Sequence, residues 1–446
     1  MENLYKTNKI SYAKIGGSLI EQFVTEYKNY DILYGPNNIN VVTIQNKLVI
    51  FLDDKHVKIN NDYECYDKDN QFNTCWIDDF FSDLFEISPT CIDFFIETTL
   101  FQQVGKQNNL LPITKHIEKE SKGKYNDGLF RIQQKFIHCV GPLKKECSKY
   151  KYTRFHNIEY RRFGNNFYDI VGGIFCAPLA YLSCPIDTKC FFMPQFLFKY
   201  KEKNMIPERL DENMKIHTEN LSENLNSIFN GLLAGDMDII STSVNKLYSC
   251  FTNNLDFLDI IIQKFTPDQL NKNYVYTKLN AQIKKLPSSI QIKYLEEMKE
   301  NYDRYMTFEI TQIKDLFNEM MDEKSEKTYG EDFFISYRKM IFNFGVVVFD
   351  AYALARILKA FYVYQDSSII IVYAGSGHTS FYNRALSSIM DTTPILTIPS
   401  ETYEKSACVM LNAEKIGWNQ FMDILKEKLV NGKKCTVRNE YKESHD

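Results

Sequence analysis

No two of the 11 cysteines form a C-x-x-C pair, which excludes a zinc ribbon and a thioredoxin-type redox motif. No run of 18 apolar residues occurs, so no membrane span is expected. The opening stretch MENLYKTNKISYAKIGG lacks the apolar centre of a secretory leader, and none is expected. An excess of one charge is also missing. The 53 Lys+Arg against 57 Asp+Glu leave a net charge of −4, with no general pull toward nucleic acid or an anionic bilayer. There is no internal repeat and no low-complexity tract. The cysteines, scattered from Cys65 to Cys435, read most simply as free thiols in a reducing compartment. The expected location is intracellular and cytoplasmic; a virus-associated one is compatible too.

What is present suits a large globular core. The chain has 446 residues, 44% hydrophobic and 25% charged, with 33 Phe and 29 Tyr. That is enough for one large domain with an insertion, or for two domains. NVVTIQNKLVIFLDDKHVKI reads as two strands around the turn at Gln45-Asn46-Lys47. WIDDFFSDLFEIS spaces Phe80, Phe81, Leu84 and Phe85 as a helix that Pro89 stops, and CIDFFIETTL reads as a buried strand. DGLFRIQQKFIHCVGPL is a helix opened by Asp127, and YTRFHNIEYRRF alternates as a strand. Long helical patterns then run to the polar break MMDEKSEKTYGED. FFISYRKMIFNFGVVVFDAYALARILKAF is again helical and delivers the chain to the strand SSIIIVYAG. A short strand and an amphipathic helix close the sequence. The expected division is a first part of an α/β core over 1–165, a helical insertion or cap over 166–331, and the second part of the core with its closing helix over 332–446.

In an open α/β sheet, ligands bind where strands end. Four strand ends carry polar groups: Asp53-Asp54-Lys55-His56, Glu97, Glu159-Tyr160-Arg161-Arg162 and Gly375-Ser376-Gly377-His378. If these strands are parallel neighbours, two histidines and several carboxylates face one rim. Such a set binds a divalent metal, or acts without one as a general base on water. Each member also has a plainer reading as a turn or capping residue. His138 and His156 read as structural, on an amphipathic helix and an alternating strand. Gly375 and Gly377 allow positive φ and close backbone approach, and free amides at a helix start hold anions. The segment is not a P-loop, because no Lys follows Gly377. YDKDNQFNTCWID is not a calcium loop, because Phe72 stands where the glycine is needed.

The order of these motifs resembles the superfamily of TraB and TIKI proteins, erythromycin esterases and ChaN-like proteins. Asp53-Asp54-Lys55-His56 stands for a first strand ending in Gly-Glu/Thr-x-His, Glu97 for a second, Glu159-Tyr160-Arg161 for an acidic-x-Arg element, Arg356 for a helical arginine, and Gly375-Ser376-Gly377-His378 for a final Gly-x-x-His. The first motif departs from the family, having no Gly and an Asp for Glu or Thr. FDAYALAR followed by VYAGSGHTSFY is also loosely similar to uncharacterised proteins of large DNA viruses of eukaryotes.

The resemblance implies an α/β fold with a mixed central sheet and helices on both faces; the large helical insertion, which the resemblance does not cover, is expected to lie over the strand ends as a lid or partner-binding surface. It implies a metal- or histidine-dependent hydrolase of a peptide or small-molecule ester bond. Asp54, His56, Glu97 and His378 would bind a divalent metal or activate water, and Arg161 and Arg356 would hold a substrate carboxylate or oxyanion. Gly375 and Gly377 would supply amides for a bound group. Arg356 is expected to pair with Glu97, Glu159 or an aspartate of the first motif. The competing expectation is a non-catalytic structural or interaction protein with a degenerate site, its partner seated on the helical insertion. The ChaN-like branch adds ligand carriage, such as haem.

Overall fold

A computed structural model describes residues 18–55, 71–97, 101–103, 110–112, 128–136, 139, 147, 149–158, 210–249, 266–271, 274–321, 330–364, 366–399 and 407–435. In chain order its elements are α1 (Leu19–Tyr27), β1 (Ile32–Tyr34), β2 (Pro36–Ile44), β3 (Lys47–Asp54), β4 (Thr74–Trp76), α2 (Ile77–Ile87), β5 (Cys91–Ile96), β6 (Phe101–Gln103), β7 (Leu110–Pro112), α3 (Gly128–Phe136) and β8 (Thr153–Asn157). There follow α4 (Leu210–Ala234), α5 (Met237–Tyr248), α6 (Pro267–Leu270), α7 (Tyr274–Ile283), α8 (Ser288–Met321), α9 (Gly330–Tyr362), β9 (Ser367–Gly375), α10 (Ser376–Met390), β10 (Leu396–Pro399), β11 (Cys408–Met410) and α11 (Lys415–Asn431).

The main sheet has six strands in the order β10-β2-β3-β9-β5-β8. β3, β9, β5 and β8 run parallel, and β10 and β2 continue the sheet antiparallel, so it is mixed. The β2–β3 hairpin turns through Gln45 and Asn46, both at positive φ, as a two-residue hairpin with the right twist requires. Smaller sheets join β11-β1-β4 and β6-β7.

Alternate side chains of the sheet feed two apolar cores. Val42, Val49, Phe51, Phe95, Ile370 and Val372 point to one face and pack with α4, α5, α7, α8, α9 and α10. Val41, Ile50, Leu52, Phe94, Ile371 and Tyr373 point to the other and pack with α1, α2, α3 and α11. The chain is thus an α/β protein with helices on both faces of a mixed sheet. Between residues 210 and 321 every described element is a helix, and these helices share one continuous core with the sheet face they cover. No described helix is long and apolar enough to cross a membrane.

The cysteines differ from the expectation of free thiols. Cys91 is bonded to Cys435 and Cys139 to Cys147, and Cys408 is also in a disulfide. Cys75, which is buried, is the one free thiol among the described residues. Spacing could not reveal the first of these, since Cys91 and Cys435 lie 344 positions apart and meet only through the fold, whereas Cys139 and Cys147 are 8 apart.

One buried histidine in the helical layer gives the fold a measurable acid sensitivity. His217 of α4 is wholly buried, and its Nδ1–H donates to the Leu247 carbonyl at 2.9 Å. Burial lowers its pKa from 6.5 to about 4. As pH falls from 6.5 to 4, the unfolded chain binds a proton that the folded chain refuses, so stability falls through that window. The full loss is roughly 3 kcal/mol. Urea titrations between pH 4 and 7 should show a shallower acid limb for His217→Leu than for the wild type; parallel limbs would contradict the assignment.

Candidate active site

The centre of the site is the junction of β9 and α10. The strand enters the helix without a loop, with Gly375 as N-cap and His378 in the first turn. Thr379 tightens the junction by donating to the Gly375 and Ser376 carbonyls, both at 3.2 Å. Gly375 sits at φ −53 and ψ 143, and neither it nor Gly377 adopts positive φ. Gly377 faces open space, where a Cβ would meet nothing within 4 Å. Neither glycine therefore supplies a positive φ, and at Gly377 no close approach requires a glycine. The Gly375 amide does bind an anion, but it is the protein's own: its N–H donates to Glu97 Oε2 at 2.8 Å. Glu97, one residue past β5, is buried beside β9 and so turned toward α10.

His378 completes the group. Its Nδ1–H donates to Asp350 Oδ1 at 2.7 Å, which leaves the Nε2 lone pair directed away from α9. Nε2 stands 4.0 Å from Glu97 Oε1, too far for a direct hydrogen bond and suited to one bridging atom. Asp350 has no exposed surface, and it also accepts from Tyr382 Oη at 2.9 Å and Asn301 Nδ2 at 3.3 Å. Three donors make a buried carboxylate tolerable. Phe349 meets the imidazole edge-on, with ring centres 4.6 Å apart, so the ring is fixed from two sides. His378 keeps 12% of its side-chain surface exposed and Glu97 7%, which leaves the pair reachable.

The first motif divides between the faces. Successive strand residues point in opposite directions. Asp54 follows Leu52 onto the α2–α3 side, where the Tyr373 hydroxyl donates to its Oδ2. A Cβ at Gly128, the first residue of α3, would lie 3.1 Å from that oxygen, so α3 begins against it. Asp53 takes the face of α10, where Asn38 Nδ2 donates to its Oδ2 at 3.1 Å. Burial pushes its carboxyl pKa up, against the lowering influence of Thr379 and Asn38. The expected quartet is thus not assembled from Asp54: Glu97 and His378 meet on one side of the sheet, and Asp54 faces the other. His56, Glu159 and Arg161 lie outside the described residues.

Arg356 reaches the rim at β8. It donates to the Asn157 carbonyl at 3.0 Å, to Tyr352 Oη at 3.1 Å and to His156 Nδ1 at 3.3 Å. His156 in turn bonds Asp93 Oδ1 through Nε2 at 2.8 Å, and Arg154 pairs with the same carboxylate. Burial keeps the His156 pKa below its ordinary value, reinforced by Arg356 and Arg154 and opposed by Asp93. Burial would raise the Asp93 pKa, but His156 and Arg154 outweigh it and hold the carboxyl low. These bonds of Arg356 do not go to the expected Glu97, Glu159 or first-motif aspartate; they go to β8 and Tyr352, and reach a carboxylate only through His156 to Asp93. His156 is buried and stacked between Phe95 and Tyr364.

Asp350, Tyr382 and Asn301 join the group around His378, and sequence reasoning did not nominate them. A signal for Asp350 exists: it is the single charge in the helical run FGVVVFDAYALA, and an aspartate there needs partners.

Glu97 Oε1 and His378 Nε2 offer two ligand atoms, fewer than the three protein ligands of a catalytic zinc. The described residues do not make up that set, and no step is assigned to a metal here. Among the described residues, the group of three metal-ligating types that does close, within 4.8 Å, is Cys91, Asp366 and Cys435 at the opposite end of the sheet.

Fold and site together define an α/β protein with a histidine–carboxylate group at the carboxyl ends of its parallel strands. Compared with family models, with curated proteins and with solved structures, the chain matches none.

Proposed function

We propose that the chain is a hydrolase of a peptide or ester bond, working through Glu97, His378 and Asp350. The observation that supports this most is the orientation of His378: Nδ1 is tied to a buried carboxylate, and Nε2 faces Glu97 across a gap of one atom. In this reading Nε2 takes a proton from water as the water attacks the substrate carbonyl, then returns it to the leaving group. Asp350 holds the tautomer and balances the imidazolium that forms. Glu97, one oxygen fixed by the Gly375 amide, orients the water with the other. The Gly-x-x-His element that carries the resemblance to TraB/TIKI and erythromycin esterase proteins supplies the base.

The test is turnover of a panel of fluorogenic peptides and chromogenic esters by the full chain, with His378→Ala alongside. The variant should lose about a hundredfold or more in rate while folding normally. An unchanged rate in His378→Ala, or no turnover by the wild type on any probe, sinks the reading. The position of Asp54, turned away and bonded to Tyr373, favours a second reading: a binding protein whose site has drifted from catalysis. Its partner would use exposed Ile292, Leu295 and Phe308 on α8 and Phe342 on α9. Binding of a partner by a catalytically silent chain, lost in Phe308→Ser, would support it.

A further inference from the structure

We propose that reduction of the Cys91–Cys435 disulfide opens a zinc site made of the two thiolates and Asp366. This site is remote from the one described above. Cys91 begins β5 and Glu97 follows its end, and at about 3.3 Å of rise per residue they stand about 20 Å apart.

Three observations carry the proposal. The ligand atoms of Cys91, Asp366 and Cys435 already lie within 4.8 Å of one another. Tetrahedral zinc, with Zn–S of about 2.3 Å and Zn–O of about 2.0–2.2 Å, needs ligand atoms about 3.3–3.8 Å apart, so side-chain rotation suffices. The tail is also held without the sulfur bond. Thr90 forms an antiparallel bridge with Lys434, the Cys435 N–H donates to the Pro89 carbonyl at 3.2 Å, and Ser368 Oγ donates to the Lys433 carbonyl at 3.4 Å. Reduction therefore leaves Cys435 beside Cys91. Finally, Asp366 is oriented from behind. Arg154 donates to its Oδ1 at 3.2 Å, which turns Oδ2 toward Cys91 Sγ, 3.5 Å away. An outer partner that fixes a ligating carboxylate is what a metal site requires. Arg154 also offsets the negative charge that two thiolates and a carboxylate leave around a divalent ion.

The chemistry balances with a dithiol reductant. Its two sulfurs end as a disulfide, and its two electrons and two protons pass to Cys91 and Cys435. Binding of the ion then releases both thiol protons to solvent. Cys91 is buried, while Asp366 and Cys435 are part-exposed, so a water completes the tetrahedron from the open side.

Cobalt(II) is the probe, because thiolate ligation gives it a charge-transfer band in the near ultraviolet. The reduced full-length chain should show that band, zinc should displace it, and the oxidised chain should show none. Cys435→Ser should abolish the band, and Asp366→Asn should weaken cobalt affinity by about tenfold or more. Cys139→Ser, in the other described disulfide pair, should leave it intact. Should Cys435→Ser fail to give wild-type circular dichroism, Asp366→Asn alone decides. A band absent from the reduced wild-type chain, or one that neither substitution changes, overturns the proposal and leaves a purely structural disulfide.

Discussion

In the proposed hydrolase, Asp350→Asn is expected to lower turnover by about 10³–10⁴-fold, with KM nearly unchanged. The amide has the shape of the carboxylate but not its charge, and one of its two positions donates instead of accepting. Asp350 Oδ1 receives both the His378 Nδ1–H and the Tyr382 hydroxyl. If the amide NH₂ takes that place, His378 must present Nδ1 as an acceptor, and the proton moves to Nε2, where the proposed base needs its lone pair. If the amide oxygen stays there, the tautomer survives but the imidazolium loses its counter-charge. Both outcomes slow proton transfer and neither touches substrate binding. The cost in stability should be about 1–3 kcal/mol, since the Asn301 and Tyr382 donors are left less well paired in a buried place. A Tyr382→Phe variant separates the effects: it removes one donor to the same oxygen, costs a similar amount of stability and should leave turnover within a few-fold of wild type. Equal loss of turnover in both variants would mean that Asp350 acts only by holding the fold.

Gly35→Ala should be the most damaging single-methyl change, at roughly 3–5 kcal/mol. Gly35 joins β1 to β2 at φ +118, a conformation that L-residues rarely adopt. The added Cβ would stand 2.4 Å from Ile77 Cγ2 and 3.2 Å from the Tyr373 hydroxyl oxygen. Ile77 is wholly buried at the head of α2, and the Gly35 N–H is committed to the Ala407 carbonyl at 2.9 Å, so neither side can yield cheaply. The neighbour on the far side is another glycine. A Cβ on Gly128 would lie 2.4 Å from the Gly35 Cα. The two glycines let α3 begin directly over the Asp54–Tyr373 bond. A urea midpoint loss equivalent to less than about 1 kcal/mol would show that the β1–β2 corner is softer than its packing indicates.

The strands and helices around the site were legible because their apolar runs are long and their punctuation is clear. Pro89 ends α2, and Gln45-Asn46 make the hairpin turn. Glu97 and His378 were legible as polar residues closing buried strands, and they do meet. Asp54 was misjudged for a physical reason. β3 is buried on both faces, so KLVIFLDD shows no alternation, and nothing in the run says which aspartate faces which helices. Only the register against β9, which sets Leu52 beside Tyr373 and Asp53 beside Ala374, decides it. Asp350 was visible as a lone charge in an apolar helix, but its partners Asn301, His378 and Tyr382 come from two other helices. The Cys91–Cys435 pair was hidden for the same reason, since a contact across 344 positions leaves no trace in local spacing.

The central place of β9 has a consequence for how the chain is made. Its neighbours β3 and β5 both belong to the first hundred residues, yet Tyr373 pairs with an aspartate 319 positions earlier. During synthesis the hairpin of β2 and β3 and the pair of β5 and β8 emerge long before the strand that joins them. At about 5–20 residues per second, the inner edges of β3 and β5 wait roughly 15–60 s for their partner. Those edges are Val-, Ile- and Phe-rich, with charge confined to Lys47 and Asp53-Asp54 at the ends of β3 and to Asp93 within β5, so their apolar stretches are the kind that pairs with other chains. The helices α4 to α9 are made in that interval. A nascent chain stalled before residue 367 should therefore depend on chaperones far more than one stalled after residue 390, when β9 and α10 can close the sheet.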